Sequence, residues 1–350
     1  MNILIQMSHP AHFHLYKNIA QQLADDGHEV HILIKSKDIL EDLLVASKLN
    51  YTNIQPKAHR KHRIGIAYDT FIRMWRMACY VKKHNIDLLT GCSAEVAQIG
   101  WRLHKHRINL GEDDASIIPQ LIKLIKPFAE RYYAPDSCNT GPLEPKTIHY
   151  AGYHKLAYLH PNRFTPNDEI ASKYVDISRP YFLLRFAELR AYHDIDNHAH
   201  GIDEKIAQQL VDLLLPFGNV YITSERKLEP QFEQYRLNIN PLNIHHVMAF
   251  ATLYVGDSQS MAVEAAMLGV PSIRFNDFAG RIGVLEELEH KYKLTYGISP
   301  QYPEQLFSKV EELLATGHIK ELFMQRRQHM LADKIDVTDF ITQQIEQFAK

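Results

Sequence analysis

The chain of 350 residues is long for one domain and long enough for two, each able to bury a core of its own. A formal net charge of −2, with 23% charged residues, excludes a global basic field of the kind that recruits nucleic acid or anionic lipid. Cys79, Cys92 and Cys138 are odd in number and scattered, which excludes a disulfide framework and points to a reducing compartment. Met1–Met7 lacks a basic n-region and no apolar run reaches spanning length, so the expectation is a soluble, cytoplasmic protein without a transmembrane segment.

Asn2–Met7 is an apolar strand, and His14–Ala24 carries Leu15, Ile19 and Leu23 at helical spacing. Asp26-Gly27-His28-Glu29-Val30 turns the chain into a strand at His31–Ile34. The alternation continues through helix Asp38–Lys48, strand Tyr51–Ile54, helix Ile66–Lys83 and strand Ile86–Thr90. Helix Ala94–Leu103, strand Arg107–Leu110, helix Ile117–Ile125 and strand Arg131–Ala134 follow. Alternation at this pitch implies a parallel, doubly wound α/β sheet. Lys57–Arg63 (KAHRKHR) reads as a solvated loop, with peripheral contact to anionic lipid as the alternative.

Pro135–Pro145 is turn-rich, and Tyr150–Tyr153 reads as the exit to a second domain. The boundary is set near Gly152, giving a first domain at 1–152, a second at 153–335 and a closing helix within 336–350. In the second domain the pattern predicts helices at Asn167–Val175, Asp203–Leu215, Asn243–Ala251, Gly283–Lys291, Pro303–Ala315 and Ile319–Ala332. Strands are predicted at Tyr181–Phe186 and Gly218–Thr223, and a last helix at Val337–Lys350. Ligands of open α/β sheets bind outside the carboxyl ends of the strands, so candidate residues belong on the loops that follow them.

The richest such stretch is Tyr254–Asn276 (YVGDSQSMAVEAAMLGVPSIRFN), which reads as strand, tight loop, helix, turn and strand. Ser258 or Ser260 caps the helix, whose apolar side is Met261, Ala262, Ala265, Ala266 and Leu268. Gly269 suits a left-handed C-terminal cap, and Pro271 opens the next strand. Such a loop aims backbone N–H groups and hydroxyls at the positive end of a helix dipole, which is a phosphate site in physical terms. Glu264 lies one turn into the helix, where a carboxylate suits two adjacent ribose hydroxyls. The plainer account is an ordinary serine-capped βαβ unit.

Asp257, Ser258, Gln259, Ser260, Glu264, Leu268, Gly269 and Pro271 resemble the nucleotide-sugar loop of the UDP-N-acetylglucosamine 2-epimerases, with Gln259-Ser260 where those enzymes have paired glycines. MurG-like glycosyltransferases share the Ser and Glu positions more loosely. The Gly27–Val30 segment (GHEV) is similar to the first βαβ of GT-B enzymes, and the chain as a whole resembles the DUF354 family, a GT-B-like group. The resemblance implies two Rossmann-type domains facing a central cleft. The second would hold a nucleotide-sugar, with UDP-sugar as the expected substrate, and the first a glycan or lipid-linked acceptor. It implies metal-independent sugar transfer in cell-surface glycan synthesis without a cofactor. A 2-epimerase is the rival, and a non-catalytic nucleotide-sugar-binding protein a third reading.

Candidate residues follow strand by strand. After the first strand, His9, His12 and His14 invite a metal reading, but no Asp or Cys lies near them in sequence. His9 or His12 is instead expected as general base or phosphate contact, or Ser8 or His9 as a helix cap. In Gly91–Glu95 (GCSAE), Ser93 reads as a helix cap and Glu95 as a partner of the dipole. Glu112 or Asp113 reads as catalytic acid or base, and Asp114 as a cap; the epimerase resemblance puts a catalytic Glu after the corresponding strand. Arg185 matches the basic segment that meets the diphosphate in the epimerases, with Glu188, Arg190 and His193 beyond it and Asp196–His200 a polar loop. Ser224 and Arg226 follow the next strand, and Arg226 also suits phosphate. His246 and Val247, next to His245, stand where GT-B proteins touch the base. Asp277–Arg281 would border the donor sugar.

Overall fold

The structure is a computed structural model that describes residues 1–56, 63–187 and 201–349. By contact the chain divides into two units, residues 1–163 with 334–350, and residues 164–333. Among the described residues, no helix is long and apolar enough to cross a membrane.

The first unit is built on seven parallel strands: β1 (Asn2–Met7), β2 (Glu29–Lys35), β3 (Thr52–Gln55), β4 (Leu88–Gly91), β5 (His106–Leu110), β6 (Arg131–Pro135) and β7 (Thr147–Tyr150). Their order is β3-β2-β1-β4-β5-β6-β7, with every neighbouring pair parallel. Side chains alternate across a strand. Leu4, Leu33 and Leu89 pack with Met77, Val81, Val96 and Ile99 from the helices Arg63–Lys83 and Ala94–Arg102. Ile3 and Ile5, on the opposite face, are also fully buried. Burial on both faces is why these strands read as continuous apolar runs.

The second unit holds five parallel strands: β8 (Tyr181–Phe186), β9 (Asn219–Ser224), β10 (Leu253–Gly256), β11 (Ser272–Phe275) and β12 (Thr295–Ile298). Their order is β12-β11-β10-β8-β9. In each sheet the order reverses once, between β1 and β4 in the first and between β8 and β10 in the second. Successive crossovers depart to opposite sides there, leaving a crevice at the strands' carboxyl ends.

Several elements differ from the sequence expectation. Neither β7 nor β12 was anticipated; both are half-buried four-residue strands that mix polar and apolar residues, without the apolar run that marks β10. The helix expected at Asn167–Val175 is a single turn, Asp168–Ala171. Residues 153–163, with the short helix Leu156–Leu159, group by contact with the first sheet.

The last helix, Val337–Glu346, belongs to the first unit. The Ile335 amide donates to the Ala151 carbonyl at 2.8 Å, and the Thr338 hydroxyl to that of Ala157 at 2.7 Å. Asp336 caps the helix by accepting the Thr338 and Asp339 amides at 3.0 and 3.4 Å, and its carboxylate also takes the Arg163 guanidinium at 2.7 Å. Val337, Ile341 and Ile345 supply its fully buried stripe. Ile341→Ala is therefore expected to cost about 2–5 kcal/mol, because it empties a fully buried position. Urea unfolding measures this; a loss below about 0.5 kcal/mol, the range of surface substitutions, would remove the helix from the core.

Candidate functional site

The crevice of the second sheet lies between the ends of β8 and β10. Gly256 closes β10 because a Cβ there would stand 2.9 Å from the Arg185 carbonyl oxygen and 2.6 Å from the Tyr254 hydroxyl. Ser258 then caps the helix Gln259–Met267, its hydroxyl accepting the Met261 amide at 3.5 Å, and Gly269 leaves the helix at φ +76° as a left-handed cap. The helix is not amphipathic as the sequence suggested. Ala262 through Met267 are all buried, so beyond its first turn the helix is apolar all round except for one carboxylate.

That carboxylate is Glu264, 8% exposed. Its Oε1 lies 3.3 Å from Nε2 of His245, which is itself buried. The sequence reading chose His246 and Val247 from this segment. In the structure His246 Nδ1 accepts the Asn167 amide at 3.1 Å and its ring lies 4.8 Å from that of Phe164, while the Val247 carbonyl takes the Tyr181 hydroxyl. On the helix Ile244–Phe250, it is His245 that meets the carboxylate. At the helix start, Ser260 is exposed and Gln259 half-buried, and the first-turn N–H groups have no acceptor inside the helix.

The other predicted phosphate contacts are drawn into the framework. Asp257 is 4% exposed, and its carboxylate accepts the Ala187 amide at 2.6 Å and the Ile202 amide at 3.4 Å. Burial pushes its pKa up to about 6 despite those bonds and the nearby Arg226. Arg226 donates to the Ile202 carbonyl at 2.6 Å and lies over the Phe186 ring at 5.3 Å. Ser224 closes a turn, its hydroxyl donating to the Arg226 carbonyl at 2.7 Å and accepting the Arg226 amide at 3.1 Å. Arg185 pairs with Glu225 at the end of β8, leaving its buried Nε without a partner. Glu188, Arg190, His193 and Asp196–His200 lie outside the described residues, as do Lys57–His62.

The crevice of the first sheet lies between the ends of β1 and β4. His9 caps the helix Pro10–Asp25, its Nδ1 accepting the Ala11 amide at 3.2 Å, and His12 Nδ1 accepts the Ser8 amide at 3.1 Å. A ring nitrogen that accepts an amide carries no proton, so in the neutral ring the proton sits on Nε2. His12 is held neutral: burial first, then His9, pushes its pKa down to about 3. Both rings therefore present an N–H donor, suited to a hydroxyl or phosphate oxygen, rather than a basic lone pair. His14 packs its ring 5.1 Å from Tyr158, and among the described residues no three His, Cys, Asp or Glu side chains group so as to hold a metal ion.

Glu112 accepts the His154 amide at 2.6 Å and pairs with Lys155. Burial alone would raise its pKa, but Lys155, His154 and their hydrogen bonds bring it below the usual carboxylate range. It is thus an ionised partner of a lysine, while Asp113 is the exposed carboxylate of the three. Asp114 is no helix cap; it is buried and accepts the Asn139 amide at 2.7 Å. Nor does Glu95 serve only the dipole, since it pairs with the buried Arg73. Ser93 starts the helix Ala94–Arg102 without a side-chain cap bond, and its buried Oγ lacks a partner. The same holds for Asn109 Oδ1, the Tyr150 hydroxyl and His154 Nε2, all on strands or loops at this edge. Single polar residues in apolar strands carry no sequence signal, and none was singled out.

No family model matches the chain and no curated protein matches it, and membership of the DUF354 family is not shown. Solved structures do match over full length. A UDP-GlcNAc 2-epimerase from Neisseria meningitidis bound to UDP-GlcNAc is 12% identical, with 99% of this chain and 100% of that one covered at a TM-score of 0.68. S. aureus MnaA in a co-structure with UDP is 11% identical, with 100% and 97% covered at 0.69. The spinosyn forosaminyltransferase SpnP is 11% identical, with 100% of both chains covered at 0.66. With its two parallel sheets flanked by helices, the chain has the GT-B fold.

Asp257 supplies a test of the framework role. Its folded pKa of about 6 stands above the ordinary 3.8, so the folded state binds a proton that the unfolded chain releases. This stabilisation is full below 3.8 and is lost as pH rises through about 6. Asp257→Asn keeps an acceptor and has no such loss. Relative to wild type, the variant should gain up to about 3 kcal/mol between about pH 4 and about pH 7. Denaturant titrations of both proteins across that range measure the difference, and parallel curves would refute the assignment.

Proposed function

We propose that the second unit binds a nucleotide-sugar, a UDP-sugar, and that the protein transfers the sugar to a hydroxyl of a glycan or lipid-linked acceptor held by the first unit. The observation that carries the reading is Glu264: a carboxylate buried in an otherwise apolar helix, beside His245, at the switch point of a parallel sheet. A buried carboxylate is costly unless hydrogen-bonded, and the two vicinal hydroxyls of a ribose offer it two donors. The first-turn amides after Ser258 suit the diphosphate, whose charge grows as the sugar leaves. Arg185 adds a guanidinium at the end of the neighbouring strand.

Such charge stabilisation requires no metal ion. In the first unit, His9 and His12 serve as donors to acceptor oxygens, Glu112 is held by Lys155, and the exposed Asp113 beside it serves as base. The nucleotide-sugar is the substrate and no further cofactor is invoked. Epimerisation at the sugar is the second reading, favoured by the Asp257–Pro271 motif and by fold neighbours that include UDP-GlcNAc 2-epimerases. A protein that binds the nucleotide-sugar without turning it over is the third.

The test is thermal stability in UDP, TDP, GDP and UDP-sugars, with wild type and Glu264→Ala side by side. A ligand at about 100 times its dissociation constant stabilises by ~2.7 kcal/mol, a clear rise in melting temperature. The expected result is a rise with uridine nucleotides that the variant loses. Equal rises in both proteins would take the ribose role from Glu264. Proton NMR of UDP-GlcNAc incubated without acceptor then separates the chemistries: an epimeric sugar supports the second reading, and UDP release only with acceptor supports transfer.

A further inference from the structure

The helix Arg63–Lys83 of the first unit has two unlike faces. Inward, Met77 and Val81 enter the core with Leu4, Leu33 and Leu89, and Arg73 is buried against Glu95 and Gln55. Outward, Tyr68 is 51% exposed, Phe71 66% and Trp75 58%. At about 100° per residue these three positions fall within one stripe some 60° wide, which exposed Cys79 continues. Three large aromatics in one exposed stripe exceed the scattered apolar residues of an ordinary surface.

The charge along the same stretch is equally one-sided. Along the helix Arg63–Lys83 itself, Arg63, Arg76, Lys82 and Lys83 accompany one acidic residue, Asp69, within a chain of net charge −2, and Arg76, Lys82 and Lys83 are exposed. From this juxtaposition we propose that the outer face of Arg63–Lys83 docks on a membrane surface bearing anionic phospholipid. The helix lies in the interfacial plane, its aromatics among the headgroups and its basic flank on lipid phosphates. Tyr and Trp favour that depth, where an apolar ring and a polar tip are both satisfied. Each Lys or Arg near an anionic leaflet adds attraction, so the two signals together hold what neither holds alone.

A second copy of the chain is the other occupant to weigh. A two-fold interface sets a patch against itself, so this one would bring two strongly basic stretches together. The charge therefore favours lipid over self-association. The inference does not depend on which sugar reaction the protein performs.

The test uses the full-length chain with vesicles of phosphatidylcholine alone and of phosphatidylcholine mixed with phosphatidylglycerol. Binding by flotation is expected only to the mixed vesicles, and should weaken as salt rises. Phe71→Ser with Trp75→Ser should weaken it at least about tenfold, since each exchange removes an aromatic from the interface. A second measurement needs no change in the stripe. The chain has two tryptophans, so Trp101→Phe leaves Trp75 as the sole reporter, and its emission should shift to the blue with mixed vesicles. Unshifted Trp75 emission with mixed vesicles at low salt would overturn the proposal. So would light scattering that shows a dimer which Phe71→Ser dissociates.

Discussion

The constraint on which the rest depends is the single reversal of strand order in each sheet. Parallel strands must be joined by crossovers of one hand, so a sheet that grows from its middle sends successive helices to opposite faces. Where it reverses, between β1 and β4 and between β8 and β10, no crossover covers the strand ends. The residues at those ends are Ser8 and His9, Cys92 and Ser93, Ala187, and Asp257 and Ser258. Chemistry-bearing side chains gather there because the rest of each strand is largely buried and mostly apolar.

The same fact explains how much of the fold was legible. Doubly buried strands such as Ile3–Met7 and Leu253–Gly256 appear as apolar runs, and the helices between them keep an apolar stripe, so the alternation could be read directly. Four-residue strands at the sheet edges, Thr147–Tyr150 and Thr295–Ile298, have no such run and merged with the neighbouring turns. The grouping of residues 153–163 with the first sheet rests on tertiary contacts, such as that of Arg163 with Asp336, which lie far apart in sequence. Local pattern cannot encode them.

The candidate sites were legible as loops but not as roles. Ser258 and Gly269 do what their residue types predict because capping is decided within a few residues of chain. The choice between His245 and His246 is different. Successive helix positions point about 100° apart, and only the packed helix decides that His245 turns to Glu264 while His246 turns to Asn167. Tautomers are likewise set by the fold: His12 is a donor because its Nδ1 is occupied by the Ser8 amide.

Commitment of charged groups to the framework narrows what remains for a ligand. Asp257 and Arg226 both hold Ile202, the first at its amide and the second at its carbonyl, and Asp257 also holds Ala187. These residues lie on either side of residues 188–200, so two side chains that suit phosphate chemistry instead fix the chain at Ala187 and Ile202. Arg185 is balanced by Glu225, and Arg226 lies near Asp257. Among the described residues both guanidiniums are offset by carboxylates, and the first turn of the helix Gln259–Met267 adds positive potential at this edge. An anion drawn to it would be recognised chiefly by backbone N–H groups, and backbone donors are insensitive to side-chain exchange. The epimerase-like loop can thus carry Gln259-Ser260 in place of glycines and keep the donors that the helix geometry provides.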